Sequence, residues 1–95
     1  MGENKKHIIV TVIGKDEIGI VAKIATALAE NNINIIDINQ KILSSEIFAM
    51  TLLADRINST RSLPEITARL KDSIKNMALD VTVQDSEVFQ YMHRV

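Results

Sequence analysis

His7-Ile8-Ile9-Val10-Thr11-Val12-Ile13-Gly14, then Lys15-Asp16-Glu17-Ile18-Gly19, then Ile20-Val21-Ala22-Lys23-Ile24-Ala25-Thr26-Ala27-Leu28 is the stretch on which the fold turns. Its first part is a β-branched run with a period of two. Ile8, Val10 and Val12 share one side, and Ile9, Thr11 and Ile13 share the other. Branching at Cβ stiffens χ1 and suits a pleated surface, so the run reads as a strand that Gly14 ends. From about Glu17 the period changes. Ile20/Val21, Ile24/Ala25 and Leu28 recur at helical spacing in an alanine-rich setting, and Asn31-Asn32 stops the helix, because Asn tolerates the left-handed conformation found past a helix end.

The same reading extends to the rest of the chain. Ile33 to Leu43 is expected to form a second strand, Ser44-Ser45 a turn, and Ile47 to Ala54 a third strand, apolar on both faces. After the polar connection Asp55 to Arg61, Ser62-Leu63-Pro64-Glu65 fits a capping box, in which Ser62 and Glu65 satisfy each other's orphan amides. Pro64 in the first turn loses no internal hydrogen bond. Ile66, Leu70, Ile74 and Met77 form a helical stripe, with Arg69, Lys71, Asp72 and Lys75 pointing elsewhere. Leu79, Val81 and Val83 then alternate with Asp80, Thr82 and Gln84 as a half-exposed fourth strand.

This strand–helix–strand–strand–helix–strand order predicts an α+β, ferredoxin-like βαββαβ sandwich. Right-handed crossovers place both helices on one face of a four-stranded antiparallel sheet of order 4-1-3-2. The other face keeps several of Ile9, Ile13, Ile47 and Leu53, more apolar surface than a solvated face usually shows. A short C-terminal helix over 86–95 is the expected cover. Ser86 is read as its cap, and Val88, Met92 and Val95 fall at i, i+4 and i+7 with Phe89 beside them. A ten-residue helix is marginal alone in water and must dock on its own sheet or on a partner's; fraying in the monomer is the alternative. The chain therefore divides into a polar N-terminal tail (1–6), one domain (7–85) and a docking helix (86–95).

Composition narrows the function. The 95 residues include fifteen Ile and seven Val but three aromatics, Phe48, Phe89 and Tyr91. A chain of this size buries only ~60–65% of its unfolded surface, so association with a second copy would help it. Without cysteine there is no disulfide framework, thiolate metal site or cysteine nucleophile. The polar start Met1-Gly2-Glu3-Asn4-Lys5-Lys6 lacks the apolar core of a signal peptide, and no apolar run approaches the ~18 residues of a membrane span, so a cytoplasmic protein is expected. Eleven basic and twelve acidic residues are interspersed, which leaves no footprint for a phosphate backbone. The scarcity of sheet aromatics also argues against stacked RNA bases.

No catalytic constellation emerges. His7 and His93 have no ligand-spaced partner, so no metal is expected, and no cofactor either. Ser44-Ser45 lacks an activating base. Asp16-Glu17 at a loop-to-helix junction reads more readily as a cap and a dipole partner than as an acid–base pair.

The first loop carries the functional signal. Val12-Ile13-Gly14-Lys15-Asp16-Glu17-Ile18-Gly19-Ile20-Val21-Ala22, with Ile24-Ala25, Leu28-Ala29 and Ile33-Asn34-Ile35-Ile36-Asp37-Ile38-Asn39-Gln40, resembles an ACT domain. The ending Phe89-Gln90-Tyr91-Met92-His93-Arg94-Val95 is similar to that of small stand-alone ACT proteins related to glycine-cleavage regulators. The resemblance implies a regulatory homodimer that binds a small molecule, often an amino acid, between the first loop and the start of the second strand. Asp16, Ile18, Gly19, Ile20 and Asn34 are the implied ligand-binding residues. Gly19 would let the backbone come close, and the amides of Ile18, Gly19 and Ile20 would meet a carboxylate. Asp16 would receive an ammonium group, and the Asn34 amide would donate or accept across the interface. The structural alternatives are that Asp16 caps the helix, Gly19 permits helix–sheet packing and Asn34 shapes a turn. Glu17-Ile18 stands where the common ACT loop has Arg-Pro, which opposes an incoming carboxylate. A ligand-free dimerisation module acting on a metabolic or regulatory protein partner is therefore the alternative function.

Overall fold

The computed structural model describes residues 6–44 and 46–87. β1 (His7–Lys15), α1 (Ile20–Glu30), β2 (Asn34–Leu43), β3 (Ile47–Asp55), α2 (Leu63–Ser73) and β4 (Leu79–Asp85) follow in the expected order. All strand pairs are antiparallel and the sheet order is β2-β3-β1-β4, which is 4-1-3-2 read from the other edge. The fold is the ferredoxin-like sandwich expected from the sequence.

Register explains the core. Val10 lies opposite Leu52 and Val83, and Val12 opposite Met50 and Val81, so the even positions of β1 and β3 point together toward the helices. Ile8, Val10, Val12, Met50, Leu52 and Ala54 are buried there against Ile20, Ile24 and Leu28 of α1 and Ile66 and Leu70 of α2. Of the second helical stripe, Ile74 is also buried and Met77 packs at the margin, although both follow the end of α2. Asn32 takes a φ of 60° just past α1, the left-handed stop expected there.

Two boundaries differ from the sequence reading. Gly14 does not end β1: the strand continues through it, opposite Phe48 and Leu79, to Lys15 opposite Ile47. The reason for glycine at this position is steric, since a Cβ would stand 2.2 Å from the Ala78 carbonyl oxygen and 2.8 Å from the Leu79 Cα. α1 starts at Ile20 rather than near Glu17, because Asp16 to Ile18 are spent on the loop. Among the described residues no helix is long and apolar enough to cross a membrane. The expected docking helix lies mostly outside the described residues. Ser86 and Glu87 are helical, and it is Asp85 rather than Ser86 that caps them, its Oδ1 accepting from the Glu87 amide at 2.9 Å.

Asn31 has a larger role than stopping a helix. It is the one buried polar residue among those described. Its Nδ2 donates to the Ala27 carbonyl at 2.7 Å and its Oδ1 accepts from Arg61 Nε at 3.1 Å. Both halves of the amide are thereby engaged, as burial demands. The bond ties the end of α1 to the segment that enters α2.

Candidate functional site at the first loop

The loop from Lys15 to Gly19 is held at its base and open at its tip. The Lys15 amide donates to the Ala78 carbonyl at 3.0 Å and the Asp16 amide to the Glu46 carbonyl at 2.9 Å. These bonds tie the loop to the α2–β4 connection on one side and to the β2–β3 turn on the other. Glu17 adds a third tie, its Oε2 accepting from the Ala78 amide at 3.5 Å. The residue that departs from the common loop pattern therefore has a structural partner, and that partner turns its charge toward the α2–β4 connection. Beyond these anchors Ile18 is 98% exposed.

Gly19 is the N-cap of α1, at φ 92° and ψ 5°, and no side chain caps the helix. This left-handed conformation strains any residue with a Cβ. An added Cβ would meet nothing within 4 Å, so helix–sheet packing is not the reason for glycine here. Nor does Asp16 cap the helix. Its side chain is exposed, and the first turn of α1 contains no acidic residue. The amides at the start of α1 therefore carry the positive end of the helix dipole, with no carboxylate from the described residues on them. Ile20 contributes only its backbone to this surface, its side chain being buried in the core.

The structure brings Asp16, Ile18, Gly19 and Ile20 together and leaves Asn34 apart. Asn34 lies opposite Asp55, which lies opposite His7, whereas Lys15 lies opposite Ile47 at the other end of the sheet. Eight residues of β1 separate the two levels, about 26 Å at ~3.3 Å per residue. Within one chain the five residues do not form one site. The reason is direction: β2 runs antiparallel to β3, so its start lies at the far end from the loop.

Comparison with known proteins places the chain. The model of the ACT domain family matches residues 6–84. The chain belongs to the ACT domain family. A UPF0237 protein of Neisseria meningitidis is 40% identical over 87 residues, which is 92% of this chain and 96% of the relative. An ACT domain protein from Streptococcus pneumoniae superposes with a TM-score of 0.76 at 27% identity, covering 90% of this chain and 94% of that one. The ACT fold is also shared with the regulatory subunit of aspartate kinase from Thermus thermophilus. That match has a TM-score of 0.65 at 22% identity and covers 83% of this chain and 50% of that one.

Proposed function

We propose that this chain is a cytoplasmic, non-catalytic regulatory module. It pairs with a second copy along β2 and holds an amino acid where the first loop of one copy meets the start of β2 of the other. The observation that carries this reading is the state of β2. Every residue of that edge strand except Ile35 is exposed, and among the described residues its outer row of backbone groups has no partner strand. Unblocked edges of this kind recruit further strands.

Three features favour a second copy as the partner. On the helix side, Ile38 and Ile42, opposite the buried Leu52 and Phe48, remain 37% and 53% exposed. Asp37 and Lys41 stand two positions either side of Asn39, so a two-fold antiparallel pairing centred there sets each Asp37 opposite a Lys41. The same pairing reverses β2 and carries the Asn34 of the second copy to the level of Leu43, at the loop's end of the sheet. The site split within one chain is then completed across the dimer.

The chemistry fits a zwitterion. A ligand carboxylate is favoured at the uncapped amides of α1. Asp16 offers a carboxylate to the ammonium group, and the Asn34 amide both donates and accepts. Regulation follows if the bridging ligand binds one dimer geometry better than another.

The test is thermal shift and calorimetric titration of the full chain against the twenty amino acids, with light scattering for mass. A dimer that responds to one or a few amino acids is expected, with Asn34→Ala abolishing the response while the melting transition without ligand stays in place. No response at millimolar ligand ends the sensor reading. A dimer without a response leaves the association module.

A further inference from the structure

At the end of the sheet away from the first loop, the core gives way to charged residues. Ile8 lies opposite Ala54 on one flank and Asp85 on the other. Lys6 precedes Ile8 by two positions and Arg56 follows Ala54 by two. The Arg56 amide donates to the Lys6 carbonyl at 2.8 Å, one step beyond the strands. Alternation along a strand keeps both residues on the helix side with Ile8 and Ala54. Lys6, His7, Arg56, Asp85, Ser86 and Glu87 line a cavity of about 340 Å³ there.

Two cations and two carboxylates share this cavity without pairing. Among the described residues the one ion pair joins Lys75 to Asp72, at the end of α2. The carboxylates near Arg56 are spent on backbone amides: Asp55 Oδ1 accepts from Ile57 at 2.9 Å, and Asp85 Oδ1 from Glu87 at 2.9 Å. Arg56 is half-buried, and its Nε is shielded from solvent with no hydrogen-bond partner among the described residues. No other buried side-chain nitrogen or oxygen among those residues is left in that state. Arg61, by contrast, places its Nε on the Asn31 amide oxygen at 3.1 Å. A donor withdrawn from water calls for an acceptor, and the chain described here supplies none to Arg56.

We propose that this cavity binds a small carboxylate anion, held chiefly by Arg56. The Nε and one terminal nitrogen of a guanidinium point their hydrogens in parallel and match the two oxygens of a carboxylate. Lys6 adds a second positive charge with no fixed geometry. Asp85 and Glu87 set the limit on the other side, because their charges turn away a doubly charged anion such as sulfate. None of Asp16, Ile18, Gly19, Ile20 and Asn34 lines the cavity, so this is a second site and does not rest on the amino-acid reading.

The experiment follows the arginine Nε–H and backbone amide resonances of the full chain by NMR as sodium acetate is added, with sodium chloride and sodium sulfate at matched ionic strength alongside. A saturable downfield shift of the Arg56 Nε–H with acetate is expected, weaker with sulfate and absent with chloride. Lys6→Gln should weaken acetate binding by up to about fivefold, the range of one exposed charge pair. Arg56→Lys should abolish the saturable shifts of the His7 and Glu87 amides, while Asn34→Ala should leave every response in place. No saturation with acetate, an equal response to chloride, tighter binding of sulfate, or an Arg56→Lys chain that saturates like the parent would each overturn the proposal. So would an Arg56 Nε–H already protected from exchange before any anion is added, since the chain would then supply the acceptor itself.

Discussion

The two helices begin in opposite ways. α2 is closed by its own side chains: Ser62 Oγ accepts from the Glu65 amide at 3.2 Å, and Glu65 Oε1 accepts from the Ser62 amide at 2.8 Å. α1 is closed by none of the described side chains. Its N-cap is a left-handed glycine, and the protein's contacts stop at the loop before it, on Ala78 and Glu46. A helix start that completes its own hydrogen bonding is finished as structure. One that is held in place from behind and left bare at the amides has binding capacity to spare.

The largest effect expected from breaking this arrangement lies in the support behind α1. Gly14→Ala drives a Cβ into the Ala78 carbonyl and the Leu79 Cα, both of them backbone, so no side chain can swing aside. Overpacking of this kind costs about 3 kcal/mol. The melting temperature should fall by ~12 °C or more, at 4–8 °C per kcal/mol for a domain this small. A variant that melts with the parent would mean that the α2–β4 connection is free to move and does not anchor the loop.

Gly19→Ala comes next and separates conformation from space. The site is open, yet the residue is left-handed, so the expected loss is roughly 1–2 kcal/mol from backbone strain alone. Gly19→Asn should recover part of it, because Asn tolerates this region. Equal melting of the two variants would remove the strain argument. Below both comes Ser62→Ala at the closed helix, expected to cost about 1 kcal/mol through loss of one cap bond. Chemical denaturation of the set gives the order directly, and a Ser62→Ala loss above that of Gly19→Ala would reverse the contrast.

The closed helix was legible in the sequence and the open one was not. Ser62, Pro64 and Glu65 sit within one turn, and their chemistry acts over that same distance. The alternation of Ile8, Val10 and Val12 likewise gave the core face, because side-chain direction in a strand is a local property. Asp16 looks from its position like a cap, and whether it becomes one depends on Glu46 and Ala78, which tertiary folding brings up from distant parts of the chain. The resemblance set Asn34 across an interface from the loop, and the strand register gives the distance between them within one chain. The pairing of Arg61 with Asn31 left no sequence signal, since thirty positions separate the two residues and neither belongs to a recognised motif.

The smallest effect is the pH response of the capping box. The Ser62 backbone amide donates to the Glu65 carboxylate and is the main reason the group is held below the ordinary glutamate range, with the Ser62 hydroxyl, Arg61 and Arg69 acting in the same direction. A carboxyl group whose native pKa is depressed contributes stability above its unfolded value and loses it as pH falls through the native one. Stability should therefore decline on the acid side of the ordinary glutamate pKa, where the unfolded chain takes up a proton that the native box resists. Glu65→Gln keeps an acceptor for the Ser62 amide and removes the titration. Melting curves from pH 6 to pH 3 should show a shallower acid slope in Glu65→Gln than in the parent, against a background set by the other carboxylates. Glu65 is fully exposed, so solvent screens the response and the difference in slope should be slight. Equal acid slopes in the two chains would mean that the Ser62–Glu65 box does not close α2 in the folded chain, and the contrast between the two helix starts would fail.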